Sequence, residues 1–311
     1  MGKPPKLPLK LMPWLVVTAI TWSLGFTYNV VYGGELSWLR RMYWQKIAIA
    51  ESLKEDRRLI ITGGSGAHYA IDSQLIESEL GIPVVNLGLD GPIGLDVILP
   101  SMIKQVQPGD IVLLIPEYLL LTDSDGFSDR SANFGVAIGQ PGLGEVPLKQ
   151  LIQDTIMLGV PSLRAVAKSA VELVTEGQLS GYYAPPLSDR GDPTDFKPRQ
   201  EEWWGLSIKR PISKHAANRI LQFRQEVAAK GGTLIISLPW IYGSQDETTL
   251  KNVKLTAYYL SKIAPTIYNQ ETLNIKTNPD LFADTHYHLM PQGREIRAKE
   301  LIEQLKPIIN N

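Results

Sequence analysis

Residues 58–66 read Arg-Leu-Ile-Ile-Thr-Gly-Gly-Ser-Gly. The first five are a short β-branched, apolar run, and the glycines that follow break it into a tight turn. Beyond the turn, Ile71, Leu75, Ile76 and Leu80 recur at helical spacing until Gly81. The unit is therefore strand, glycine-rich turn, helix. It repeats outward from here. Ile82–Leu87 reads as a second strand, with a helix from Gly91 to Val106, and Ile111–Ile115 as a third. The alternation resumes with a helix over 213–230, a strand over 233–238 and a helix over 246–263. A short strand is expected at Ile267 and Tyr268, and a closing helix over 293–309. Continuous apolar strands separated by helices predict a parallel sheet covered on both faces. Residues 119–210 interrupt the repeat. Loop-like Gly, Pro and Asp clusters flank one or two helices between Val146 and Glu176, and the stretch reads as an insertion. Trp203 and Trp204 lie in it. They read either as packing residues or as an aromatic wall for a sugar.

The 311 residues carry 31 Lys plus Arg against 32 Asp plus Glu, a net charge of −1 that offers nothing to a nucleic acid. There is no cysteine, so disulfides, thiolate metal sites and a catalytic thiol are excluded. Imidazole chemistry rests on His68, His215, His286 and His288. From Leu11 to Gly34 there is no charged residue, which is long enough to cross a bilayer. Lys3, Lys6 and Lys10 precede the run, and Trp14 and Tyr32 mark its ends. A retained signal anchor is the preferred reading. A cleaved signal peptide (with Ala48-Ile49-Ala50 far downstream) and a buried helix are the alternatives. The lysines favour a cytoplasmic N-terminus, against Arg40, Arg41 and Lys46 on the other flank. The expected organisation is a tail and anchor over 1–34, a linker helix over 35–56, and an α/β domain over 57–311.

Ligands of such sheets bind at the carboxyl ends of the strands. Three loops there carry chemistry. Ser65 sits on the glycine-rich turn, where its hydroxyl is exposed and a helix N-terminus favours developing negative charge. Asn86, Gly88 and Gly91 follow the second strand and offer oxyanion donors. Asp284, His286 and His288 precede the last helix; an Asp beside a His orients the ring and supports it as a base for a serine. A metal site and helix-capping histidines are weaker readings of the same residues. His68 reads as a surface or pocket-edge residue and His215 as solvated. Glu117 lines a pocket or caps a loop.

The three loops in this order resemble the SGNH, or GDSL-like, hydrolase superfamily. Ser65 matches the family's nucleophile, Gly88 or Gly91 its second block, and His288-Leu-Met-Pro-Gln-Gly293 its closing motif. The resemblance covers about residues 57–118 and 210–306. It implies a flavodoxin-like doubly wound sheet and a Ser65–His288–Asp284 acyl-enzyme mechanism, with His286 in reserve as base. Three positions depart from the pattern. Gly63-Gly64-Ser65 replaces Gly-Asp-Ser. Pro116-Glu117-Tyr118 stands where the third block, Gly-x-Asn-Asp, belongs. Asp284 lies four residues before His288 rather than three. Asp284-Thr285-His286 is also similar to the Asp-x-His pair of alginate O-acetyltransferase-like proteins.

The expectation is therefore a membrane-anchored serine esterase or O-acyltransferase with its domain outside the cytoplasm. Its substrate would be an acylated envelope polymer or exopolysaccharide. It needs no cofactor and no metal, and its partners are the membrane and a membrane-bound acyl donor, not nucleic acid. Two rivals stand beside it. One is a non-catalytic, membrane-tethered assembly protein of the same fold. The other is a Rossmann-type dinucleotide-binding protein, with Gly64-Ser65-Gly66 as phosphate loop and Asp90 as ribose ligand; Tyr69 at its third glycine position and an idle Asp284–His288 pair count against it.

Overall fold

A computed structural model describes residues 11–177, 186–200 and 204–309. Lys3, Lys6, Lys10 and Trp203 lie outside them. The chain forms two compact units. One comprises residues 11–41, 132–142 and 147–177, and the other 42–131, 143–146 and 186–309. The insertion is thus divided: its central helices belong with the N-terminal segment, and its flanks with the α/β unit.

In the first unit, helix α1 (Met12–Thr27) runs without a charged residue. It continues as a wide π-helical turn over Tyr28–Tyr32. Together these form one helix long and apolar enough to cross a membrane. A second helix, α2 (Glu35–Ser52), starts in this unit and ends in the other.

The α/β unit is built on five parallel strands. Strand β1 (Leu59–Gly63) leads through α3 (Ser65–Tyr69) and α4 (Ser73–Leu80) to β2 (Val84–Asn86). Helix α5 (Leu95–Met102) leads to β3 (Ile111–Ile115) and the short α6 (Tyr118–Thr122). Three insertion helices follow: α7 (Ser131–Ala137), α8 (Leu148–Leu158) and α9 (Leu163–Glu176). Then come α10 (Lys214–Ala229), β4 (Thr233–Ser237), β5 (Ile241–Tyr242), α11 (Glu247–Ser261), β6 (Thr266–Ile267), β7 (Ile275–Lys276) and α12 (Pro291–Ile309). The sheet order is β2-β1-β3-β4-β6, while β5 and β7 pair separately. The alternation read from residue 58 onward predicts the five central strands. The pair β5–β7 is too short to leave a period in the sequence.

One face of the sheet is packed by α4 and α12, with Ile61, Leu113, Ile76, Leu301 and Leu305 in a continuous apolar cluster. The helix expected over 66–80 divides because Asp72 caps α4, its carboxylate accepting from the Leu75 N–H at 3.0 Å. The helix expected over 91–106 divides at Gly94, whose φ of 85° a side chain disfavours.

Lys46 is not a flanking charge at the membrane. It is buried on α2, and its ammonium donates to the Asn86 carbonyl at 2.8 Å. Burial pushes it down to about 7, and Asp192 counteracts part of that shift.

Candidate active site

The strand order reverses direction between β1 and β3, the position at whose carboxyl edge such sheets bind their ligands. Both strands end in residues of interest. Gly63 closes β1 with a φ of 151°, and a Cβ there would lie 2.2 Å from the Ile115 carbonyl oxygen of β3. Only glycine lets the strands stay paired up to the turn. Ser65 then opens α3, and Pro116-Glu117 leaves β3 directly opposite.

Ser65 Oγ donates to Glu117 Oε1 at 2.8 Å, and the Gly66 N–H donates to the same oxygen at 2.8 Å. Glu117 is fully buried. Its Oε2 has no hydrogen-bond partner. That oxygen is walled by glycine backbone: a Cβ on Gly64 would lie 2.0 Å from it, and one on Gly91 2.5 Å. Burial pushes the Glu117 carboxyl up, and the bonds from Ser65 and Gly66 and the nearby His288 only partly offset this. Both donors meet Oε1, so Oε2 is buried without compensation, which is part of why burial dominates.

The Asp284–His288 loop is pinned at its base. Phe282 and Leu289 form an antiparallel bridge, and the Ala283 N–H donates to the His288 carbonyl at 2.8 Å. Thr285 Oγ1 accepts from the N–H groups of Tyr287 (3.2 Å) and His288 (3.1 Å). This turn absorbs the extra residue between Asp284 and His288. The carboxylate therefore still meets the ring, with Asp284 Oδ1 2.7 Å from His288 Nδ1. Partial burial pushes Asp284 up, but the hydrogen bond and charge of His288 outweigh it and hold the carboxyl below its usual value. The pairing engages Nδ1 and turns Nε2 away from the carboxylate. Nε2 is buried and has no partner.

The His288 ring packs on Tyr69 of α3, with centroids 4.2 Å apart. The neighbouring Tyr287 hydroxyl accepts from the Tyr118 N–H at 3.2 Å, next to Glu117. Ser65, Glu117, Asp284 and His288 thus converge on one edge of the sheet. Ser65 does not bond His288; its proton is held by Glu117, which the sequence offers as lining a pocket or capping a loop.

The other expected residues take different places. Asn86 is buried, its amide donating to Asp192 at 2.8 Å and to the Ala67 carbonyl at 3.0 Å. Its Oδ1 accepts from the Gly88 N–H at 2.8 Å. Both groups are therefore spent on the turn, and Gly88 is a glycine because a Cβ would lie 2.5 Å from the His68 nitrogen. Of the second-block residues, Gly91 borders Glu117. His286, the reserve base, bonds the Trp204 carbonyl through Nε2 at 2.9 Å and stacks on Tyr242 instead. His68 is fully buried rather than at a surface, and neither ring nitrogen has a partner. Desolvation, with Lys46, His288 and Arg294 nearby, keeps it neutral. His215 is paired, its Nε2 3.0 Å from Asp96. Trp204 is 88% exposed rather than packed. Asp90 is engaged by Arg130. Among the described residues no cluster of His, Asp and Glu has the makings of a metal site.

No family model matches the sequence, and no curated protein does. Among solved structures, the Bacillus subtilis protein YXIM is similar over 81% of this chain, at 12% identity and a TM-score of 0.39; the chain spans 57% of that protein's length.

Proposed function

We propose that this chain is a membrane-anchored SGNH-like serine esterase or O-acyltransferase, with Ser65 as nucleophile, His288 as base and Asp284 as the residue that orients it. One observation carries the reading. His288 is held by Asp284 through Nδ1, with a free, buried Nε2, on the strand edge where Ser65 opens a helix after β1. The strand order, the first four strands of which run 2-1-3-4, supports the flavodoxin-like form. In the reaction, Ser65 turns from Glu117 to His288, which takes its proton as the hydroxyl attacks an ester carbonyl. The N–H groups of Ser65 and Gly91 hold the oxyanion, and water or a sugar hydroxyl releases the acyl group. Glu117 fills the place of the third block. With α1 as anchor and Lys46 withdrawn from the flanking charge, the N-terminus lies in the cytoplasm and the substrate is an acylated envelope polymer or exopolysaccharide.

The bond from Ser65 to Glu117 favours a second reading, a tethered assembly protein whose serine is retired into a buried contact. The Rossmann reading loses its anion site, because a buried carboxyl occupies the turn where a pyrophosphate would sit. A fluorophosphonate probe on the full-length protein in membranes decides between the first two. Acyl transfer predicts labelling at Ser65 that is absent in Ser65→Ala and falls by about 10⁴-fold or more in His288→Ala. An unlabelled wild type, as inert as Ser65→Ala, overturns it in favour of assembly.

A further inference from the structure

We propose that the α8–α9 hairpin is a second membrane element, a re-entrant wedge that enters the same leaflet as the C-terminal part of α1 and takes lipid acyl chains as its partner. The inference rests on the reading of α1 as an anchor.

The run over 11–34 is interrupted by polar groups, and three of them are satisfied by this hairpin. Trp22 Nε1 donates to the Ile156 carbonyl at 2.9 Å, and Asn29 Nδ2 donates to the Leu158 carbonyl at 2.8 Å. The Tyr28 hydroxyl lies 2.7 Å from Ser169 Oγ on α9. Between these bonds the backbones touch. A Cβ on Gly25 would lie 2.0 Å from the Gly159 oxygen, and one on Gly159 1.9 Å from the Trp22 ring. Small residues at the crossing, with polar side chains bonded across it, are how helices associate in lipid.

These contacts fix the depth of the hairpin. Asn29 and Trp22 lie three and ten residues before Tyr32, about 5 and 15 Å along the helix at 1.5 Å per residue. The hydrocarbon core of one leaflet is about 15 Å thick. If Tyr32 marks the interface, the hairpin tip is immersed.

The composition of the tip agrees. Residues 155–163 carry no charge. Around the tip, Ile152, Ile156, Met157, Val160, Leu163 and Val166 are exposed, Leu163 by 88%. An apolar surface of this extent is a liability in water. The backbone is also prepared for lipid. Both arms are helical, and the turn between them is closed by the Gly159 N–H to Ile156 O (3.2 Å) and the Val160 N–H to Met157 O (2.9 Å).

The absence of native cysteine makes a label test clean. Single cysteines at Met157 and Leu163 probe the tip. Leu24→Cys reports α1, and Ser261→Cys on the exposed end of α11 reports water. Each full-length variant carries an environment-sensitive fluorophore in vesicles of phosphatidylethanolamine and phosphatidylglycerol. Expected is strong quenching of Met157→Cys and Leu163→Cys by lipids bearing an acyl-chain nitroxide, as for Leu24→Cys and several-fold above Ser261→Cys. Quenching of both tip labels by aqueous iodide, with Leu24→Cys still in lipid, overturns the wedge alone. Iodide quenching at Leu24→Cys as well overturns the anchor, and the wedge with it.

Discussion

The two edges of the central sheet both bury carboxyl groups and treat them in opposite ways. At the amino edge, Asp110 ahead of β3 meets Arg58 ahead of β1, and both are fully buried. Asp110 accepts from Arg58 Nε (3.1 Å), Arg58 Nη2 (2.7 Å) and the Gln107 N–H (2.8 Å). The rest of the guanidinium donates to the carbonyls of Ala50, Leu53 and Gln105. At the carboxyl edge, buried polar atoms lack partners: Glu117 Oε2, His288 Nε2, both nitrogens of His68, Thr62 Oγ1 and the Tyr118 hydroxyl. Unpaired buried polar groups each cost on the order of 1–3 kcal/mol. A fold that satisfies one edge and tolerates the other has spent stability where chemistry is expected.

Breaking the satisfied edge has the largest effect on stability. Arg58→Met strips Asp110 of its counter-charge and leaves it buried. Breaking such a pair costs about 3–5 kcal/mol. Chemical denaturation is expected to show that loss, with probe labelling at Ser65 unchanged in the folded fraction. A loss below about 1 kcal/mol would mean the pair is as dispensable as a surface bridge.

At the other edge, Glu117→Gln keeps the shape and the acceptor for Ser65 and Gly66 but cannot ionise. The unfolded wild type ionises Glu117 around its ordinary 4.5, while the folded state holds it neutral to higher pH because the carboxyl is buried. The folded state then binds the extra proton, so wild-type stability falls as pH climbs above 4.5. Glu117→Gln escapes this, and its stability relative to wild type should rise between that pH and neutrality, by less than Arg58→Met loses. An unchanged difference across that range would show that Glu117 ionises normally. Lys46, held at about 7, adds stability to both proteins as pH rises beyond it and cancels in the difference.

How far the sequence is legible follows the same division. The strands were readable because sheet burial demands unbroken apolar runs, as in Ile111–Ile115. Ser65, Asp284 and His288 could be nominated from the sequence because each lies on a short local motif. Glu117 was read only as lining a pocket or capping a loop, because its meaning is non-local: it is the carboxyl that Gly64, Gly66 and Gly91 are small enough to admit. Those glycines were the available signal, and read alone they suggested a tight turn and an oxyanion donor. Asn86 misled for a related reason. A side-chain amide after a strand looks the same in sequence whether it meets a substrate or, as here, Asp192. The helices of the insertion carried a spacing, Leu148, Ile152 and Ile156, that signifies a buried face in a soluble domain, yet all three are exposed.

The smallest effect concerns what the open edge accepts. The Trp204 carbonyl accepts from His286, so Trp204→Ala keeps that bond and removes an exposed ring. On the proposed reading, this exposed indole next to the histidine loop would stack on a sugar ring, a contact worth about 1 kcal/mol. For an O-acetylated polysaccharide, KM should rise roughly fivefold with kcat unchanged, the mark of binding lost equally from ground and transition states. A small aryl ester, too short to reach the ring, should be hydrolysed as by wild type. Equal KM values for the polymer would remove Trp204 from the proposed binding surface.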